Sequence, residues 1–250
     1  MRSLVRLAAT SVAAASLLLG TLVAPAAAAT SPINVTSVSI KASYGGPAIS
    51  AKTKYYEFTT KASGSVSQGW VDIVGDVYRG STKVASNIEL GYVYSGGKDL
   101  TGYVLAKNSW GRGTFKVKNV RVVHDLYNNT VKTYKDTTVS GGTFYIKSAI
   151  NGNLTKYGTV IQVKTSGSKK TVKVGIKQYT VKKAWEPYKG KKVKIQQKKG
   201  GKWVTKKTVK LNSKGKATYK LTSAKKYKYR VLVPGSSTVV GGYSQGTPKL

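Results

Sequence analysis

The residues that could do chemistry are few. The chain holds eight carboxylates, one histidine and no cysteine, which excludes thiol nucleophiles, zinc–thiolate sites and iron–sulfur clusters. The histidine, His124, stands beside Asp125 in the run VRVVHDLYNNTV. That pair invites a hydrolase reading, but adjacent residues of a strand point to opposite faces and do not share one site. No serine sits in a G-x-S-x-G elbow either. Asp125-Leu126-Tyr127-Asn128-Asn129 reads as a hairpin turn, where Asp and Asn side chains bond their own backbone. A calcium site drawn from Asp125, Asn128 and Asp136 would be short of oxygen ligands. Asp72 and Asp76 alternate onto one strand face with Trp70, Val74 and Tyr78, an arrangement that could hold a sugar or a cation. Gly75 between them suggests a bulge that would break the alternation, and surface ion pairs are the plainer account of two acids on a basic domain. No set of positioned acids, bases and nucleophiles emerges. The expectation is a protein that is not an enzyme, with no catalytic residue, no metal and no cofactor.

What the chain does hold is cations. Its formal charge is +35, unevenly spread. Residues 30–150 carry 15 basic and 7 acidic side chains, whereas residues 151–250 carry 26 basic and 1 acidic, Glu186. Surfaces that only serve solubility normally mix signs, so this asymmetry points to a polyanionic partner for the second half. From Tyr188 to Val233 apolar and basic residues alternate. Val193 and Ile195 oppose Lys192, Lys194 and Lys198; Val209 and Leu211 oppose Lys210; Ala217, Tyr219 and Leu221 oppose Lys216 and Lys220; Tyr227, Tyr229, Val231 and Val233 oppose Lys228 and Arg230. Period-two alternation of this kind puts the cations on the solvent side of successive strands. Lys192, Lys194, Lys198, Lys210, Lys216, Lys220, Lys228 and Arg230 are therefore the expected polyanion-binding set. Trp203 and Tyr188 could add stacking to sugars, although a tryptophan beside a hairpin more often belongs to a core edge. Arg230 is the single arginine among those 26 cations. Lysine is a flexible point charge rather than a bidentate fork, which favours non-specific attraction, including to nucleic acid, over sequence readout.

The elements that must carry these residues are strands. No sustained helical period follows the first 29 residues, while short β-branched and aromatic runs recur between Gly, Ser and Asn clusters, the pattern of an all-β sandwich. The expected strands lie near 33–42, 54–60, 68–78, 84–94, 100–106, 114–124, 130–137 and 143–147, then 157–165, 171–181, 191–197, 203–211, 216–221 and 227–233, with a short one near Val239. Val71, Ile73 and Val77 are expected in the core, as are Ile88, Leu90, Tyr92 and Tyr94, and in the second half Val172, Val174 and Ile176. Residues 1–29, with Arg2 and Arg6 before an apolar run and Ala27-Ala28-Ala29 at its end, read as a signal peptide cleaved after Ala29. No transmembrane segment is expected in the mature chain. About 220 residues suffice for cores without disulfides, divided as 30–147, a polar linker 148–153, a second domain 154–245 and a tail 246–250.

Two segments carry a resemblance. GRGTFKVKNVRVVHDLYNNTV followed by GGTFYIK resembles the end of Ig-like domains in secreted actinobacterial proteins, where G-x-[WYF]-x-V leads into a D-x-x-G-N turn and an F-x-V strand. Gly113, Phe115, Val117, Asp125, Asn129, Phe144 and Ile146 stand at those positions, and Asn128 takes the glycine place. The run from Tyr179 to Ser236 is similar to a second Ig-like module of such proteins, with W-x-P-Y-x-G-x-x-V, G-G-x-W and Y-R-V-x-V-x-G patterns. The resemblance implies two tandem Ig-like β-sandwich domains after a cleaved signal peptide, and no common active site. The functional expectation is a secreted, extracellular, non-catalytic binding or structural module. It would associate with an anionic cell-wall glycopolymer through the lysine-rich domain and could sit at the cell wall. The alternative is an adaptor for an acidic protein, using sandwich faces or edge strands. The oligomeric state is left open.

Overall fold

The computed structural model describes residues 30–43, 46–136, 139 and 141–250. The expected signal peptide, residues 1–29, lies outside the described residues. The rest is all-β, as the alternation predicts, and residues Ser31–Leu250 hold together as one unit built on two separate cores.

The first half contains β1 (Ile33–Ala42), β2 (Ala48–Ile49), β3 (Thr53–Gly64), β4 (Trp70–Arg79), β5 (Thr82–Tyr94), β6 (Gly97–Asp99), β7 (Thr101–Lys107), β8 (Gly113–Asp125), β9 (Val131–Lys135) and β10 (Thr143–Ser148). A three-stranded sheet, β1-β3-β7, faces a seven-stranded one, β2-β10-β8-β4-β5-β6 with β9 on β8. Between them Tyr56, Phe58, Val71, Ile73, Val77, Leu90, Phe115 and Ile146 are buried, which supplies the burial that a cysteine-free chain needs. The Tyr56 hydroxyl donates to the Tyr145 carbonyl at 2.8 Å, and burial pushes its pKa well up.

Two bulges decide what β4 and β5 show to solvent. On β5 the register against β4 passes from Ile73↔Gly91 to Val74↔Glu89, leaving Leu90 as an extra residue; Gly91 takes φ +143° there, where a Cβ would meet the backbone of Asp99 and Leu100. The alternation inverts across this point. Leu90 and Val93 are buried, whereas Tyr92 is half-buried and Tyr94 is 41% exposed. The expectation that Tyr92 and Tyr94 share the core with Leu90 is therefore corrected: they stand on the outer face. The bulge expected at Gly75 is present, with register shifts on both neighbouring strands. It buries Asp76 and Val77 together.

The second half contains β11 (Ile150–Gly152), β12 (Ile161–Ser166), β13 (Lys169–Tyr179), β14 (Trp185–Pro187), β15 (Lys192–Lys199), β16 (Lys202–Lys210), β17 (Lys216–Thr222), β18 (Tyr229–Val233) and β19 (Gly242–Tyr243). The central β13 is flanked by β11 and β12 on one side and by β14 and β17 on the other, making five strands. Against this packs the four-stranded sheet β16-β15-β18-β19. Val172, Val174, Ile176, Val193, Ile195, Leu211, Tyr229 and Val231 fill the space between. Residues 246–250, expected to be a tail, are tied to β18 and the residues before it: the Thr247 amide donates to the Tyr229 carbonyl, and Leu250 and Tyr227 exchange amide bonds.

Residues 148–153, expected to be a polar linker, are built into both halves. The Ala149 amide donates to the Ile49 carbonyl and the Ala149 carbonyl accepts from Tyr179, while Ile150–Gly152 pairs with β13. Hydrogen bonding to two partners at once outweighs the local polarity that reads as loop. Next to it lies Arg112, whose five N–H donors all meet neutral acceptors. Nε donates to Ser148 Oγ, Nη1 to the carbonyls of Asn108 and Gly111, and Nη2 to Asn108 Oδ1 and the Tyr179 carbonyl. Asn108 itself is fully buried.

Candidate functional site

The four-stranded sheet of the second half presents the strongest candidate. Along β15, Val193 and Ile195 are buried while Lys192, Lys194 and Lys198 are exposed, so the expected alternation holds. Lys192 pairs with Lys210 across the hairpin and Lys198 pairs with Trp203. The Lys198 amide bonds the Lys228 carbonyl, which brings a further cation alongside, and Gln196 pairs with Arg230. No carboxylate side chain occurs anywhere in residues 187–250. Like charges set opposite each other repel, and no acidic side chain of residues 187–250 offsets them.

Arg230 is the ordered member of the group. Its Cζ lies 4.4 Å from the Trp203 ring centroid and 3.9 Å from that of Tyr243, contacts in which the guanidinium meets a ring face. Its Nε donates to Gln196 Oε1 at 2.8 Å. The two Nη groups have no protein acceptor among the described residues. A guanidinium held by its Nε edge and by two rings keeps its outer N–H pair pre-aligned for a carboxylate or phosphate. Gly246 sits beside Trp203, where a Cβ would come within 3.3 Å of the indole, so the C-terminal segment braces the same ring.

The eight expected residues do not share one face. Lys216 and Lys220 lie on β17, opposite Gly175 and Thr171 of β13, on the outer side of the five-stranded sheet. There Lys220 meets Lys164 and Lys169 around a shallow groove of about 530 Å³. The sandwich is thus basic on both sides, with six of the predicted cations on the four-stranded sheet. Tyr188, considered for stacking, is buried in the core rather than on this face. Trp203 is half-buried and belongs to the outer face with Arg230, not to the core edge.

The residues weighed for catalysis or metal are separately engaged. His124 is buried with Nε2 2.9 Å from the Gln68 carbonyl, and Asp125 is on the other face. The Asp125 and Asn128 side chains accept from the amides of Tyr127 and Thr130, so the turn reading holds. The left-handed positions in it are Tyr127 and Asn129, with φ 61° and 62°, not Asn128. Asp72 accepts from the Trp70 indole at 2.6 Å. Asp76 accepts from the Asn87 amide, Asn119 Nδ2 and Arg121 Nη2, with Lys83 Nζ at 3.8 Å. Burial opposes its ionisation, but these hydrogen bonds and the Arg121 charge prevail and hold its carboxyl below the usual range. No group of three or more metal-ligating side chains occurs among the described residues.

No protein-family model matches the sequence, and no curated protein matches it. Among solved structures, the chain is similar to the tetra-tandem repeat in the extending region of a large adhesion protein, with a TM-score of 0.29 and 11% identity over 84% of this chain and 48% of that one. It is also similar to the D0-D1 domain of intimin, with a TM-score of 0.26 and 16% identity over 85% of this chain and 96% of that one. The chain spans about half the length of the first.

Proposed function

We propose that this protein is a secreted, non-catalytic binding module that associates with anionic polymers of a cell envelope through the outer face of β16-β15-β18-β19. The observation that carries the reading is Arg230, fixed by Gln196, Trp203 and Tyr243 with its Nη edge unused, amid Lys192, Lys194, Lys198, Lys210 and Lys228 and no acid. The lysines supply long-range attraction and release counterions. The arginine supplies a fixed point of contact. Phosphate-bearing or carboxylated glycopolymers fit this division, since they offer repeated anions on a sugar chain. Removal of residues 1–29 at export, and a place outside the cell, belong to the same reading. Among the described residues no helix is long and apolar enough to cross a membrane.

The experiment is binding of the purified protein to cell-wall sacculi, before and after extraction of anionic glycopolymers, across a salt series and with duplex DNA as a control. Binding that disappears on extraction and falls steeply with salt supports the reading. Equal binding to DNA would make the attraction non-specific. Absence of binding at low salt would remove the polymer reading and turn the search to an acidic protein.

A further inference from the structure

The first half carries a second surface of opposite character. Trp70 opens β4 on the outer face of the seven-stranded sheet, paired with Tyr94 on one side and Asp125 on the other. Its ring centroid lies 4.5 Å from Tyr92 and 5.8 Å from Tyr94, at interplanar angles of 21° and 14°. The two tyrosine centroids are 6.3 Å apart. Rings on opposite faces of an indole would be separated by at least two contact distances, about 7 Å. Both tyrosines therefore lie against the same indole face, and among the described residues no aromatic ring stacks on the other. Gly96 and Gly97 clear the space beside Tyr94, since a Cβ at Gly97 would come within 2.8 Å of its hydroxyl.

Three carboxylates surround this stack, each with one oxygen anchored. Asp72 Oδ1 accepts from the Trp70 indole at 2.6 Å, Asp99 Oδ1 from the Thr101 amide at 2.9 Å, and Asp125 Oδ1 from the Tyr127 amide at 2.9 Å. Asp72 and Asp99 flank Tyr92 in one cross-strand row. None of the three forms an ion pair among the described residues, and the second oxygen of each has no protein partner there. The site thus joins a flat apolar surface to three pre-oriented acceptors and contains no fixed donor.

We infer that the Trp70–Tyr92–Tyr94 stack with Asp72, Asp99 and Asp125 is a binding site for an uncharged sugar chain. A pyranose offers an apolar C–H face to an indole and hydroxyl donors to carboxylates. Anionic units are repelled by the three acids, and the overall positive charge of the protein disfavours cationic peptides. Occupancy of this site does not depend on the basic face of the second half.

The test uses the whole protein in about 1 M salt, where charge interactions are screened beyond roughly 3 Å. The probes are chitotetraose, cellotetraose and mannotetraose, followed by calorimetry and by the Trp70 indole N–H resonance. At least one probe should bind and move that resonance. Tyr94→Ser and Asp99→Asn, both at exposed positions, should each weaken binding about tenfold or more, with the far-UV spectrum unchanged. Combined Lys192→Glu, Lys194→Glu and Lys198→Glu should leave it unaltered. The assignment is overturned if none of the three sugars binds, or if binding persists unchanged in both site variants. Failure of the sacculus experiment with success here would separate the two surfaces.

Discussion

The side-chain amide of Asn108 donates to the backbone carbonyls of both Thr180 and Val181, at 3.0 and 2.9 Å. These bonds and the Arg112 fan join a 3-10 turn of the first half, Asn108–Trp110, to the end of β13. Removing Arg112 would leave buried acceptors without a donor. Arg112→Met is expected to destabilise the protein by about 3 kcal/mol or more in chemical denaturation, and Asn108→Ala by about 2 kcal/mol. Either should make the two halves unfold at separable midpoints. A single unshifted transition in both variants would show that the junction is not held here.

Arg230 differs from its lysine neighbours in being held. Arg230→Lys keeps the charge but loses the fork and the planar ring contact. Affinity for a phosphate-bearing glycopolymer should drop about tenfold while the slope of log affinity against log salt stays constant. Charge reversal of Lys192, Lys194 and Lys198 should instead flatten that slope, and more so than reversal of Lys216 and Lys220 on the opposite sheet. Equal effects from the two faces would argue against a single contact surface.

Asp76 makes stability depend on acid. Its folded pKa lies below the ordinary value, so its contribution is complete above the unfolded carboxylate range, about pH 4, and is lost as the pH falls through the folded value. Asp76→Asn should cost about 2–4 kcal/mol near neutrality because Arg121 loses the carboxylate it is paired with. The gap to the natural protein should narrow below about pH 4. Urea midpoints collected from pH 7 downward measure this directly.

Tyr229 is fully buried and its hydroxyl has no hydrogen-bond partner among the described residues. Burial, with Tyr227 and Tyr219 nearby, raises its pKa. A phenyl ring of the same shape avoids leaving a polar atom unsatisfied. Tyr229→Phe is expected to be neutral or stabilising by about 1 kcal/mol. A loss of more than about 1 kcal/mol would mean that the hydroxyl has a bonded partner, such as an ordered water.

Strand positions and the basic alternation were legible because they are local. Ile33–Ala42 follows from its run of β-branched residues and the cations of β15 from a period of two, both of which neighbouring residues alone specify. The hairpin at Asp125 was legible for the same reason, through side chains bonding amides two residues away. The identity of the outer faces was not. One extra residue at Leu90 inverts the alternation and sends Tyr92 and Tyr94 outward, a choice made by register against β4 and by the close approach of Leu100 to Gly91.

The candidate site divides along the same line. Composition and alternation by themselves determined an all-β chain with an acid-poor, cation-bearing second half. Only the tertiary structure decided that six of the eight predicted binding cations lie on one sheet and two on the other, because β17 leaves β16 to join the opposite sheet. It also decided that Arg230 meets Trp203 and Tyr243, residues from β16 and β19 that reach it through sheet pairing. Such contacts arise from packing between distant segments, and no local period encodes them.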